Sequence, residues 1–331
     1  MLLQWLLALF ALAQAEVIMT NKISDEGEIN FDTSGPTTIF PGKFWSIINN
    51  HFSSFTGALT VAKDAAFYIS SDKVSLGLKI NLTGRVENNG IIAFNSIQSN
   101  FPPVYNLVGV SFNNTESGKM FLGGDASAGS PTTFLTAAKW TNNGFISFYQ
   151  KRRTSGTVYL GAAGGSITNN GGICFYNEDY SQQTRIYGTG CIRAQNDSAI
   201  KLHTPLYHID TTQTFVLDSD NAQLQVAGVK PKNPFTVAGF GNGNVIGTEL
   251  LVWKFKYEDD TLTLWTSPLI YVKFKIGTGY DASKFEIVNH KFGWLNLNNN
   301  AIRYNGPIPS GATSSSHCMP CEDIPAYPTS I

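Results

Sequence analysis

Charge is scarce in this 331-residue chain: 14% of its residues are Asp, Glu, Lys or Arg, and Lys+Arg balance Asp+Glu at 23 to 24. A protein that holds nucleic acid by its phosphates needs a basic patch or stripe. The one tight basic run, Lys151–Arg153, is too short for that and reads as a solvated turn, so no nucleic acid partner is expected. Long apolar runs are missing as well. After the first fifteen residues none approaches the roughly 18 apolar residues that a membrane-spanning helix needs. His203 and His208 are the only histidines close together, and their spacing puts them on opposite faces of a strand, unsuited to a shared metal or a dyad.

Catalytic groupings are equally thin. Glycoside hydrolysis requires two carboxylates across a cleft. The adjacent acids Glu178–Asp179 and Glu258–Asp260 fall where turns are expected, and turn acids are ordinarily solvated. A calcium-dependent lyase would stack acids on one face, and no acid recurs in that way. The Gly-rich stretch Gly239–Asn244 has no helix after it, which argues against a nucleotide site. The residues therefore suggest no enzyme, no cofactor and no metal.

What is present begins with Met1–Ala15, an apolar core closed by small residues, which reads as a cleaved secretory signal and places the mature start near Glu16. Three sequons, at Asn81, Asn113 and Asn196, and an even cysteine count of four agree with secretion.

The strongest feature is a repeat. TNNGFISFYQ at Thr141–Gln150 returns as TNNGGICFYN at Thr168–Asn177, 27 residues later. Steps of 27 connect Phe40, Phe67, Phe94, Phe121, Phe148 and Phe175 and then reach Leu202, with Ile92, Ile146, Ile173 and Ile200 two places before that column. Gly90, Gly144 and Gly171 precede it by four. Ile and Phe alternate with small or polar residues, the period of a strand with one buried face. A strand-built repeat of this length, rich in Gly and Asn, predicts one coil of a parallel β-helix. The Phe column becomes an internal stack, and TNNG becomes a corner whose amides ladder between coils.

Alternation then places Cys174 and Cys191 outward, as attachment points rather than core. Tyr149 and Tyr176 also face outward, where they serve either as contact aromatics or, more simply, as cover beneath another part of the structure. The period of 27 fades after Leu202, and alternating segments such as Thr212–Val229 and Leu250–Trp265 predict antiparallel strands of a compact β-sandwich. The expected organisation is a signal at 1–15, a β-helix at 16–211, a β-sandwich at 212–310 and a Pro/Ser-rich tail at 311–331. The tail carries Cys318 and Cys321. Disulfides linking them to Cys174 and Cys191 are favoured over a metal or redox motif, while pairing within each half stays open, since spacing does not fix connectivity.

The segments QTFVL, GFGNGNVIG, FKIGTGYDASKFEI, AIRYNGPIP and CMPCED, in that order with the NNG-x-I-x-F coils, resemble the N-terminal domain of the hyphally regulated cell wall proteins of yeasts. The resemblance spans almost all of the mature chain. It implies an all-β protein: a right-handed parallel β-helix followed by a small sandwich similar to α-crystallin, forming the effector head of an adhesin-like protein. It also implies a glycosylated stalk and a GPI remnant linked to wall glucan, neither of which is written in this sequence, which stops at Ile331. The expected function is adhesion, biofilm formation or host contact at the cell wall through an unidentified glycan or protein. The alternatives are a secreted polysaccharide-active enzyme and a structural coat or spacer without a ligand.

Overall fold

The computed structural model describes residues 15–25, 30–125, 127, 129–204, 206–227, 233–292 and 295–331. The expected signal at 1–15 lies outside these, apart from Ala15. Among the described residues there is no α-helix; the chain is a β-solenoid whose strands stack on three faces. Face A has eight strands, from Glu16–Ile18 to Arg185–Tyr187. Face B starts at Lys22–Asp25 and face C at Asn30–Thr33. Each strand pairs in parallel with the equivalent strand one coil on, as Ile146 does with Ile173.

The lumen is filled from alternate positions. On face B one column runs Trp45, Phe67, Ile92, Met120, Ile146, Ile173, Ile192, Phe215, Val237. Its neighbour runs Ile47, Ile69, Phe94, Leu122, Phe148, Phe175, Ala194, Leu217. All are buried, each contributing about 1.5–3 kcal/mol where the side chain is large.

The single Phe column read at steps of 27 is therefore corrected. Phe148 does stack on Phe175, with centroids 5.2 Å apart. Phe67, however, lies in the Ile column, Phe121 faces outward in register with Ser147, and Phe40 is exposed. Ile200 and Leu202 belong to face C. Coil length explains this: the paired positions 67, 92, 120, 146, 173 and 192 are separated by 25, 28, 26, 27 and 19 residues. Corner loops absorb the differences, so a fixed step drifts between columns.

The solenoid also continues past the expected boundary. Thr214–Leu217 and Gln223–Val226, anticipated as an antiparallel pair, instead extend faces B and C in parallel, and Phe235–Ala238 and Val245–Thr248 add a further coil. Residue 212 falls within this run. These last two coils keep strands on two faces only, which ends the 27-residue rhythm without ending the stack. Gly239–Asn244 is the corner between Phe235–Ala238 and Val245–Thr248, with positive φ at Gly239, Gly241, Asn242 and Gly243.

Antiparallel strands do close this end. Lys254–Glu258, Thr261–Trp265 and Tyr271–Lys275 continue face B, while Phe285–Phe292 and Leu295–Tyr304 continue face C. Phe285, Leu262, Leu264, Val272 and Phe274 share one core with the coils.

The TNNG corners ladder their amides as expected, although Asn142, Asn143, Gly144, Asn169, Asn170 and Gly171 do not take the left-handed backbone that Asn and Gly in a tight corner suggest. Asn88, Asn114, Asn142 and Asn169 are wholly buried. Each passes an amide N–H to the next, at 2.8, 2.7 and 2.9 Å, and Asn169 passes it to Gln213 at 3.2 Å. Beside the ladder Gly118, Gly144, Gly171 and Gly190 lie against one another. A Cβ on Gly171 would stand 2.0 Å from the Gly144 carbonyl oxygen, so only glycine fits.

Candidate functional site

The outer surface of face B carries the cysteines. Both stand outward on this one face, Cys174 in register with Ser147 and Cys191 with Gly172, one coil apart. The tail crosses above them. Cys174 is bonded to Cys321 and Cys191 to Cys318, with Cα separations of 5.7 and 5.6 Å. His317 lies beside Cys191 and Cys318, but sulfur in a disulfide is not available to a metal.

Beyond the bridges the tail continues toward the first coils. Glu322 pairs with Lys119 at 2.7 Å, and Ile324 and Tyr327 pack on the outward strip of Tyr68, Ala93, Phe121 and Phe145. Pro328 lines one crevice with Phe44 and Ala66. From the coil of Cys191 to that of Phe44 is six coil spacings, about 29 Å at ~4.8 Å each, and ten extended residues span about 33 Å. The tail is thus a nearly straight strap. It hides an apolar strip that a free solenoid face would expose.

Tyr149 and Tyr176 are stacked outward with centroids 4.6 Å apart, and both are half-buried. Burial raises the Tyr149 hydroxyl above its usual value, with Tyr176 and the nearby carboxylates of Asp323 and Asp125 adding to it. The neighbouring cover is the tail rather than the closing strands.

The three sequons stand apart from one another. Asn81 points outward from face C and accepts from the Asn106 amide at 3.1 Å. Asn113 points outward from face A and donates to the Glu87 carboxylate at 2.9 Å. Asn196 sits at a corner with φ 55°, donates to Asn177 at 2.7 Å and is followed by the buried Ser198.

The acids depart from expectation. Glu178 and Asp179 are buried, not solvated; Asp179 begins the strand Asp179–Ser181 and is held by Arg153 and by Lys201 at 2.7 Å. Burial pushes the Glu178 carboxyl up to about 8, against a hydrogen bond from Gln150. The pair is packed beneath a corner. Glu258–Asp260 does form a hairpin turn, with Asp259 at positive φ. The two histidines stay separate: His203 bonds Ser181, and His208 bonds Asp210 at 3.0 Å.

A crevice of about 420 Å³ opens where face A stops, lined by Arg185, Tyr207, His208, Asp210, Phe215 and Phe235 among others. Asp210 is its one carboxylate among the described residues, and it is committed to His208 and to the Gly188 N–H at 2.9 Å. It cannot supply the two-carboxylate geometry of a glycosidase.

The signal that sequence reading missed is at the closing end. On the outward side of the three antiparallel strands Lys254, Trp265 and Tyr271 form one row and Lys256, Thr263 and Lys273 the next. Lys254 lies over the Trp265 ring at 5.3 Å and Lys273 over Tyr271 at 5.6 Å. The alternation in KFKYE was visible, but which face met solvent depended on knowing what it packed against.

Comparison with known proteins follows the same outline. The family model described as "Hyphally regulated cell wall protein N-terminal" matches residues 6–328. Cell wall protein IFF9 of Candida albicans is 40% identical over 94% of this chain and 34% of its own length. Cell wall protein RBR3 of the same organism is 40% identical over 98% of this chain and 21% of its own. Its hyphally regulated cell wall protein 3 is 39% identical over 98% and 26%. The chain therefore spans between about a fifth and a third of these relatives.

Proposed function

Because this chain belongs to the family of hyphally regulated cell wall proteins through their N-terminal domain, we propose that it is a cell wall surface protein whose solenoid acts as a non-enzymatic adhesive head. Cell wall residence is carried by the names of its relatives. The head role is supported chiefly by the strap. Since the tail returns to the first coils, the closing strands lie at the far end from where the chain leaves the solenoid. A stalk continuing from there, with a GPI remnant on wall glucan, would present that end outward.

This reading includes a right-handed wind, closing strands that act as a small sandwich, glycans at Asn81, Asn113 and Asn196, and a host or wall partner that is a glycan or a protein. The absence of enzymatic activity is part of the proposal; it is favoured by the burial of Glu178 and Asp179 and by the single carboxylate of the crevice.

Display of the chain on the wall of a non-adherent yeast tests it. Attachment to epithelial cells or plastic should rise over cells displaying the stalk alone. Unchanged attachment, together with reproducible release of oligosaccharide from a wall-glycan panel, would overturn the reading in favour of an enzyme.

A further inference from the structure

The closing end gathers several exposed apolar side chains, as smaller groups such as Val17, Met19 and Phe40 do on the first coils. Leu269 is 82% exposed, Trp253 50%, and Leu250 and Leu251 48% each. They come together because the 249–253 segment and the 266–270 turn sit at the same end of the antiparallel strands: the Trp253 N–H donates to the Trp265 carbonyl at 3.1 Å, and Thr266 closes on Ile270 at 3.0 Å. Val252 and Phe255 both turn toward the core, so Trp253 and Lys254 between them both stand outward.

Reading back from this lip gives a graded order. Leucines are at the tip, Trp253, Trp265, Tyr271 and Lys254 form the next layer, and Lys256 and Lys273 follow one row behind. Lys275 lies a row further, beside Glu258 and Asp260. Those two carboxylates pair with Lys256 at 2.7 Å and Lys275 at 3.4 Å, whereas Lys254 and Lys273 join no ion pair among the described residues.

We propose that this lip docks on a lipid bilayer bearing anionic headgroups, with Leu250, Leu251 and Leu269 entering the acyl boundary, the aromatic rings at headgroup depth and the lysines on the phosphates. That order of apolar, aromatic and cationic side chains is the one by which interfacial segments seat in membranes. Lysine on an edge strand commonly guards against strand pairing. Such a guard accounts for Lys254 and Lys256 but not for Lys273, two strands inward, nor for leucines that invite association.

Sugar stacking is disfavoured because ammonium groups already occupy the faces of Trp265 and Tyr271. A protein partner is disfavoured because interface cores are depleted in lysine. The proposal rests on the surface-contact reading for its biological setting alone.

The test uses the mature chain with large unilamellar vesicles of phosphatidylcholine and phosphatidylserine, vesicles of phosphatidylcholine alone, and immobilised sulfated polysaccharide. The expected result is co-sedimentation with the anionic vesicles that weakens with salt and is accompanied by a blue shift of tryptophan emission. Leu269→Asp should lower partitioning by about tenfold or more, on the ordinary worth of burying one leucine. Lys254→Glu with Lys273→Glu should lower it on anionic vesicles only.

No partitioning, or partitioning unaffected by either variant, overturns the proposal; retention on the polysaccharide alone overturns it in favour of a soluble polyanion. Vesicle binding without head-dependent cell attachment would remove the adhesin reading and leave this site. Attachment without vesicle binding would do the reverse.

Discussion

Glu178 provides a test of the interior that needs no ligand. Its carboxyl is buried at a corner, with a folded-state pKa of about 8 caused first by desolvation, and Gln150 donates to it. In the unfolded chain a glutamate titrates near 4.3. As pH rises from that value the unfolded chain releases a proton that the folded one keeps, so stability falls. The loss runs at about 1.4 kcal/mol per pH unit and levels off near pH 8, where the folded group ionises too.

Glu178→Gln removes the titration and keeps an acceptor for Gln150, while Asp179 remains held by Arg153 and Lys201. The variant should therefore be more stable than the parent by about 2–4 kcal/mol at pH 7, and by much less at pH 5. Urea denaturation of both proteins at pH 5, 6, 7 and 8, reported as a difference, cancels the other titrating groups. A difference that does not grow with pH would refute the reasoning, because it would mean that water reaches the carboxyl or that its charge is already neutralised.

Other outcomes follow from the same geometry. Asn142→Ala strips Asn114 and Asn169 of their shared partner and should cost about 2–4 kcal/mol, read by denaturation, with Asn142 and Asn169 non-additive in a double-mutant cycle; a loss below about 0.5 kcal/mol would show the ladder to be incidental. Gly171→Ala drives a Cβ to 2.0 Å from the Gly144 carbonyl oxygen and should abolish secretion of folded protein, measured by yield and by protease resistance. Non-reduced peptide mapping should recover Cys174–Cys321 and Cys191–Cys318; a Cys318–Cys321 loop would contradict the strap. Pulled from Ile331, the oxidised protein should release only the ten residues after Cys321, about 33 Å of chain, before the force meets the solenoid, and the reduced protein should release more.

How far the sequence disclosed this structure depends on whether a property is local or counted. Alternation within GFISF and GGICF is local. It placed Ile146, Phe148, Ile173 and Phe175 in the lumen and Cys174 outside it, and all of these hold. The corner chemistry of TNNG is local too, and the buried ladder from Asn88 to Asn169 is its direct result. Register is counted, and it depends on every corner. Because coils on face B range from 19 to 28 residues, a step of 27 is true on that face only between the two coils that first displayed it, from Ile146 to Ile173. The same dependence hid the later coils. Gln213–Val226 has the alternation of any half-buried strand pair, and whether Thr214–Leu217 pairs with its neighbour in sequence or with Cys191–Gln195 one coil earlier is decided by the stack already formed, not by the segment.

Surface meaning is harder still, since it requires knowing what is left uncovered. Phe121 and Phe145 look like core residues in sequence, lie outside the lumen, and are buried in a cluster against which Ile324 and Tyr327 of the tail pack. Trp253 and Leu269 have the same composition and no such cover. One apolar strip is closed by the chain's own covalently fastened tail, and the other stays open at the opposite end. That contrast makes the closing lip, rather than the strap-covered part of face B, the surface from which contact with another body should be sought.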